Sequence, residues 1–231
     1  YDNKPRNVGI QNVAKYHLMY QASLGLLSRI VDLKDFPYIP FEYVSVDHFC
    51  VDWSKAVVMS VVSPEKHRAW PAEEILKTAE AIRDMGLIPV YVGKTGKAVN
   101  NQVRNLEFEY PGFGVDLVNR TSIPELATIM AKSRVVMGVD SGPMHIAMTT
   151  SVPVIFAATT IRPELRMPHR NATTITIIPD EVACRFCHSD WNLVMNTCPR
   201  NLDIPECVTA MTADKFISAL TTIIPNQGEV K

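Results

Sequence analysis

The sequence lacks an excess of charge of either sign. Its 231 residues include 23 Lys and Arg against 24 Asp and Glu, which leaves a formal net charge of -1. A chain without a bulk positive field does not attract nucleic acid by charge alone, so we expect no nucleic-acid partner. With 47% hydrophobic and 20% charged residues, the composition is typical of a folded globular protein and excludes the disordered class.

The sequence also lacks a secretory signal and a membrane span. Residues 1–6 are polar and no apolar segment follows them, so no signal peptide is predicted. The longest stretch without Asp, Glu, Lys or Arg, residues 141–161, is interrupted by Pro143, Pro153 and several hydroxyl side chains. We therefore expect no transmembrane segment. The expected location is the cytoplasm, and the alternative within it is the inner face of the membrane. Because the first residue is Tyr rather than Met, we expect a fragment or a processed chain.

What the sequence does contain is a repeated alternation of apolar runs and amphipathic segments. Predicted strands occupy residues 56–62, 87–92, 116–119, 134–139, 153–157 and 173–178, and predicted helices occupy residues 72–85, 122–132, 143–150 and 213–223. The strands are continuous Val and Ile runs, as expected for a parallel sheet that is covered on both faces. We therefore predict an α/β fold with a doubly wound, Rossmann-like parallel sheet, which binds ligands at the carboxyl ends of its strands.

The segment that follows the fourth predicted strand has the pattern of an anion site. The strand is followed directly by Asp140, Ser141 and Gly142, then by Pro at the first helical position, and then by Met144 and His145. The free N–H groups and the dipole of such a helix start suit a phosphate or a diphosphate, and Gly142 permits close approach. The alternative is that Asp140 and Ser141 only cap the helix.

Three further loops lie at the same predicted edge of the sheet. Ser63 and Arg68 follow the first strand, and a forked guanidinium at Arg68 would neutralise a phosphate; the alternative is a solvated loop. Gly93 follows the second strand, in a turn without the full Gly-x-x-x-x-Gly-Lys-Ser/Thr spacing, which excludes a P-loop nucleotide triphosphatase. Thr159 and Thr160 follow the fifth strand and would line the same pocket.

In order and spacing, these pieces resemble glycosyltransferase family 9, the heptosyltransferases and their relatives, over about residues 57–219. The matching elements are Arg68 two residues before Trp70-Pro71, Gly93, the Asp140-Ser141-Gly142 and His145 motif, and Thr159-Thr160. The resemblance implies a GT-B fold of two facing Rossmann-like halves, of which this chain is the carboxyl-terminal half that holds a nucleotide-diphosphate sugar, ADP-heptose or similar. It also implies a glycan or protein acceptor, a general base in the amino-terminal half, and lipopolysaccharide biosynthesis as the setting.

The resemblance assigns roles to the residues of the site. Arg68 and Asp140 are the expected catalytic residues, of which Arg68 holds the departing diphosphate and Asp140 orients the loop or a donor hydroxyl. The backbone amides of Ser141, Gly142 and Met144 are expected to bind the departing diphosphate together with Arg68, and no catalytic metal is expected. Ser63, Gly93, His145, Thr159 and Thr160 complete the expected donor-binding set. The chain departs from the family in having Arg68 where Lys is usual, and basic residues where an acid often holds the ribose, so the nucleotide stays open.

Four of the five cysteines fall in one window. Cys184, Cys187, Cys198 and Cys207 have the spacing Cys-x2-Cys, ten residues, Cys, eight residues, Cys. Four thiolates at this spacing predict a closed structural site for zinc or iron. Similar clusters occur in the branch of the family that resembles the autotransporter heptosyltransferases. The alternatives are free buried thiols, or two disulfides if the chain is exported.

The domain organisation and function follow from these expectations. Residues 1–55 are predicted to form an inter-domain helix, over about residues 11–33, and a linker. Residues 56–231 form the Rossmann-like donor-binding domain, including the cysteine window 184–207. We expect a glycosyltransferase that needs a facing amino-terminal domain or a partner chain and is inactive as this chain alone. The alternative functions are a non-catalytic module that binds a sugar nucleotide and a metal finger that assembles an oligomer.

Overall fold

The fold is built on one six-stranded sheet in which every paired strand is parallel. The computed structural model describes residues 42–63, 66–96, 108–163, 173–190 and 198–224. The strands are β1 (Ala56–Ser60), β2 (Ile88–Val92), β3 (Val115–Asp116), β4 (Val135–Val139), β5 (Val154–Ala157) and β6 (Thr174–Ile177). Their order across the sheet is β3-β2-β1-β4-β5-β6. This is the doubly wound, Rossmann-like order, so the predicted fold class is confirmed.

Strand order reverses between β1 and β4, the two strands at the centre of the sheet. These strands pair in the register Val57 with Val135 and Ser60 with Gly138. In an open parallel sheet, the crevice outside the carboxyl ends of the strands at such a reversal is where ligands bind. The fold therefore directs attention to the residues that follow Ser60 and Val139.

Helices cover both faces of the sheet. The six described helices are α1 (Ala72–Asp84), α2 (Ile123–Lys132), α3 (Gly142–Ala147), α4 (Cys187–Asp190), α5 (Glu206–Thr209) and α6 (Ala213–Ile223). Alternate residues of β1 and β4 enter two different hydrophobic clusters, with Val58 and Val136 packed against α2 and α3, and Met59 and Met137 packed against α1 and α6. This alternation is the period of two that a covered strand requires.

Local sequence signals account for the helix boundaries. The Ser122 hydroxyl accepts a hydrogen bond from the Glu125 amide, and the Glu125 carboxylate accepts one from the Ser122 amide, which forms a capping box at the start of α2. The helix α1 ends before Gly86, which has a φ of 74°. Glycine adopts this left-handed conformation without strain, so the chain turns there into β2.

Two predicted elements differ from the structure in position. The strand expected at residues 116–119 lies at Val115–Asp116, because Asn119 has a φ of 62° and turns the chain away from the sheet. The helix expected at residues 143–150 ends at Ala147 and continues only as turns. The four-residue helices α4 and α5 were not predicted, since neither is long enough to produce a periodic pattern. The helix predicted at about residues 11–33 lies outside the described residues.

Among the described residues, no helix is both long enough and apolar enough to cross a membrane.

Gly138 allows the two central strands and α3 to pack closely, and its replacement tests this packing. A methyl group there would lie 2.8 Å from Ser60 Cβ and 3.2 Å from Met144 Sδ. We expect Gly138→Ala to lower the free energy of unfolding by about 1–3 kcal/mol because it overpacks the core. The control is Gly142→Ala, since no atom in the described part of the chain lies within 4 Å of a Cβ at Gly142. Equal urea midpoints for the two variants would contradict this account.

Candidate functional site

Two hydroxyl groups meet where β1 and β4 end. Ser60 Oγ lies 2.8 Å from Ser141 Oγ, and both residues are buried. Ser60 is the last residue of β1, and Ser141 precedes α3. Because the two hydroxyls satisfy each other inside the protein, they fix the loop after β4 against the end of β1.

The buried carboxylate of Asp140 is the electrostatic centre of this edge. Arg68 Nη1 donates a hydrogen bond of 3.0 Å to Asp140 Oδ2, and His145 Nε2 lies 3.2 Å from Asp140 Oδ1. The side chain of Asp140 is 5% exposed, that of Arg68 is 15% exposed and that of His145 is 43% exposed. A carboxylate buried to this extent needs an opposite charge, and the guanidinium of Arg68 supplies it.

Arg68 reaches Asp140 from a short 3-10 turn, Lys66–Arg68. The turn follows the loop after β1, and it precedes α1. The sequence therefore brings a cation from one side of the strand reversal to an acid on the other side. The predicted neighbourhood of Arg68, Asp140, Ser141 and His145 is present in the structure.

The start of α3 leaves room for a ligand. Ser141 is the N-cap residue in an extended conformation, but its hydroxyl makes no capping bond because it pairs with Ser60. The interpretation of Ser141 as a simple cap is therefore wrong. None of the described residues lies within 4 Å of a Cβ at Gly142, so these residues leave the space beside it open. Helical amides at such a start have no carbonyl partner within the helix, and they suit an anion.

Met144 is placed differently from expectation. Its amide donates a 3.1 Å hydrogen bond to the Ser141 carbonyl, and its side chain is fully buried against the sheet. The amide expected to contact a ligand therefore already has an internal partner. Met144 packs the helix onto β4, and Ser141 and Gly142 are left as the amides that can meet an anion.

Ser63 and Gly93 have structural surroundings of their own. Ser63 is buried and lines a cavity of about 90 Å³ together with Trp70 and Ile75. Gly93 has a φ of 148°, and a Cβ there would lie 2.8 Å from Val62 Cβ. Close packing against Val62 and the unusual φ therefore explain the glycine without a ligand.

Thr159 and Thr160 lie near two other segments. One is the turn that carries Arg68, and the other is the segment that carries the clustered cysteines. Thr159 Oγ1 donates a 3.0 Å hydrogen bond to the His67 carbonyl. Thr160 is buried, lines a pocket with His67 and the cysteines, and its hydroxyl has no hydrogen-bond partner among the described residues. The hydroxyl of Thr159 therefore holds the loop after β5 to this turn, and the predicted role of both residues in lining the donor pocket stays a prediction.

The four clustered cysteines line one pocket. Cys184, Cys187, Cys198 and Cys207 are free thiols there, so the disulfide alternative is not found. Burial, and then the neighbouring cysteines, raise the pKa of Cys187 to about 11 and that of Cys207 to about 12. Their shared pocket and soft sulfur chemistry fit zinc or iron. However, in the described part of the chain no three His, Cys, Asp or Glu side chains are already arranged to hold a metal ion.

Sequence reasoning missed two polar features of this edge. Ser60 lies inside the apolar run of residues 56–62, so no local signal showed that β1 ends there with a buried hydroxyl. Asn119 donates to Thr95 Oγ1 through its amide nitrogen and accepts from the Thr95 amide at 2.9 Å, which joins the loops after β2 and β3. The signal for Asn119 was its tolerance of positive φ.

Comparison with known proteins identifies a family. The family model for glycosyltransferase family 9 (heptosyltransferase) matches residues 40–184. Among curated proteins, the lipopolysaccharide core heptosyltransferase OpsX of Haemophilus influenzae is 23% identical over 143 residues, which are 62% of this chain and 41% of OpsX.

Solved structures share the fold. A glycosyl transferase family 9 protein from Veillonella parvula matches with a TM-score of 0.59 and 15% identity, over 89% of this chain and 58% of that one. The iron-containing dodecameric heptosyltransferase TibC, in complex with ADP-D-β-D-heptose, matches with a TM-score of 0.60 and 16% identity, over 75% and 46%. TibC has also been solved from enterotoxigenic E. coli. The chain thus spans about half the length of these relatives.

The pair of hydroxyls gives a direct test of the site geometry. We expect Ser60→Ala and Ser141→Ala each to lower the free energy of unfolding by about 1–3 kcal/mol, because each leaves a buried hydroxyl without its partner. The double variant should cost clearly less than the sum of the two. Ser45→Ala, at an exposed serine, is the control. Strictly additive losses in urea unfolding would mean that the two hydroxyls do not depend on each other.

Proposed function

The chain belongs to glycosyltransferase family 9, and we propose that the carboxyl edge of its sheet binds the diphosphate of a nucleotide-sugar donor, ADP-heptose or a similar compound. The sugar would be transferred to an acceptor hydroxyl of a glycan or a protein. The observation that carries this proposal is the Arg68 and Asp140 ion pair, which lies at the strand reversal beside the start of α3.

The charges of this edge suit an anion that arrives from solvent. Asp140 is almost fully buried and holds the guanidinium of Arg68 from one side. Arg68 has five N–H donors in a planar fork, so it can keep its bond to Asp140 while other donors meet a phosphate. The space beside Gly142, which none of the described residues fills, would let the phosphate approach the amides of Ser141 and Gly142.

The same groups would assist the transfer step. When the bond between sugar and diphosphate breaks, the departing diphosphate gains negative charge. Arg68 and the amides at the start of α3 would then bind it more tightly than in the ground state, which lowers the barrier. Asp140 would keep Arg68 in place, and the proposed step uses no catalytic metal. Met144 is not part of this proposal because its amide is bonded to Ser141.

We also propose that this chain supplies the donor-binding half of a GT-B enzyme. The family resemblance assigns the general base and the acceptor surface to a facing amino-terminal half. The match covers only 41% of OpsX and 46% of TibC, which supports that division. OpsX acts on the lipopolysaccharide core, and this supports a lipopolysaccharide-related acceptor and a cytoplasmic site of action at the membrane.

The four clustered cysteines are proposed to hold a structural zinc or iron ion. Cys184, Cys187, Cys198 and Cys207 line one pocket, and their structural relative TibC contains iron. A bound ion would supply a cross-link between the two parts of the cysteine window and would compensate the charge of the thiolates. These residues take no part in the transfer chemistry.

Replacement of Arg68 tests the diphosphate site. We expect Arg68→Ala to weaken ADP binding about 10- to 100-fold, because a charge-assisted hydrogen bond is lost, and to leave adenosine binding nearly unchanged. Arg68→Lys keeps the charge and should retain most of the affinity. Arg120→Ala, at an exposed arginine, is the control. Isothermal calorimetry measures both ligands, and equal losses for ADP and adenosine would contradict the proposal.

Elemental analysis tests the cysteine site. Protein purified without chelators should contain about one zinc or iron per chain, as a closed four-thiolate site requires. Cys187→Ser and Cys207→Ser should each lose the ion, whereas a substitution at the exposed Cys50 should not. Metal at background level in the wild-type protein would reject the site.

Transfer assays test the division into halves. Residues 1–231 should bind a sugar nucleotide but transfer sugar no faster than a control without protein, because the base and the acceptor surface are missing. Turnover by this chain alone, abolished by Asp140→Ala, would place the base within the chain and would refute the division.

A further inference from the structure

The turn that carries Arg68 is held by the cysteine segment, a name used here for residues 184–190 and 198–207. We propose that this segment positions Arg68, through the turn Lys66–Arg68, and so sets the affinity of the site for a nucleoside diphosphate. The identity of the ligand rests on the proposed function, whereas the positioning rests on the contacts of the turn.

Consecutive residues of the turn contact different regions. Lys66 forms an ion pair with Asp203 of the cysteine segment. The ring of His67 packs against the ring of His188 with a centroid distance of 4.6 Å, and His67 lines the pocket of the four cysteines. The next residue, Arg68, bonds to Asp140. A displacement of the first two residues must therefore move the third.

The backbone joins the same parts. The amides of Phe186 and His188 donate hydrogen bonds of 2.9 and 3.0 Å to the carbonyls of Thr159 and Thr160. The hydroxyl of Thr159 donates to the carbonyl of His67. The loop after β5 thus contacts both segments. Its backbone carbonyls bond to the cysteine segment, and the Thr159 side chain bonds to the turn that carries Arg68. The three segments form one connected unit at the edge of the sheet.

The contacts of His67 carry most of the coupling. Lys66 and Asp203 are 39% and 80% exposed, and an ion pair at such a surface contributes little. His67 is 3% exposed, so its ring cannot move without a change in its buried neighbours. His188 is the residue to replace, because it contacts this ring from within the cysteine segment and is not part of the diphosphate site.

The first experiment needs no nucleotide. The cysteines of the full chain are blocked with a small methylthiolating reagent, and amide hydrogen exchange is followed by mass spectrometry. We expect faster exchange in the peptide that contains residues 66–69, and unchanged exchange in β1 and β4. A Cys50→Ser chain that is blocked in the same way controls for modification of the exposed Cys50. Unchanged exchange at residues 66–69 would overturn the proposal.

The second experiment separates positioning from general stability. His188→Ala should weaken ADP binding about fivefold, as expected for residues coupled through shared contacts, and should leave adenosine binding unchanged. His188→Phe keeps a ring against His67 and should restore the affinity. His48→Ala, at a histidine paired with Glu125 elsewhere, is the matched control. In an Arg68→Ala background, His188→Ala should have no further effect on ADP binding.

The outcomes distinguish the two ideas. The positioning role would be overturned if His188→Ala weakened ADP binding equally in the wild-type and Arg68→Ala backgrounds. It would also be overturned if His188→Ala did not weaken ADP binding at all. Failure of the wild-type chain to bind ADP would overturn the proposed function. The exchange experiment would still decide the positioning, because it uses no ligand.

Discussion

The close approach of β1 and β4 is the constraint on which the site depends. Gly138 pairs with Ser60 and leaves no room for a methyl group between β1 and Met144. This contact brings α3 down onto the central strands and places Asp140 and Ser141 at the strand reversal. A larger residue at Gly138 would push the helix start away from the edge where Arg68 arrives. The packing of the core thus fixes the geometry of the site.

The carboxylate of Asp140 places a buried negative charge at this edge of the sheet. Taking Asp140 out of water requires a cation, and Arg68 supplies it from a loop more than seventy residues earlier in the chain. Arg68, whose side chain is 15% exposed, stabilises the carboxylate, and it is also the group that we propose to bind an incoming phosphate. Under the proposed function, folding and ligand binding would use the same guanidinium. The cysteine segment then matters because it holds the turn from which this guanidinium extends.

Sequence reasoning predicted the layers of the fold well and the contacts of its loops less well. The continuous apolar runs predicted β1, β2 and β4 within two residues, because burial on both faces leaves a strong signal. The motif around Asp140 predicted a strand end followed by a helix start, as found. The contact of Ser60 with Ser141 and the packing of the cysteine segment on His67 join residues far apart in the chain. No local pattern in the sequence encodes such contacts. For the same reason, the sequence did not show that the Met144 amide bonds to the Ser141 carbonyl, and the ligand role predicted for Thr160 stays a prediction.

A structure of this chain with bound ADP tests the central claim most directly. The account predicts that the diphosphate lies within hydrogen-bond distance of the Arg68 guanidinium and of the amides of Ser141 and Gly142, while Asp140 still contacts Arg68. A diphosphate bound elsewhere, for example at the glycine turn after β2, with Arg68 engaged only by protein groups, would contradict it.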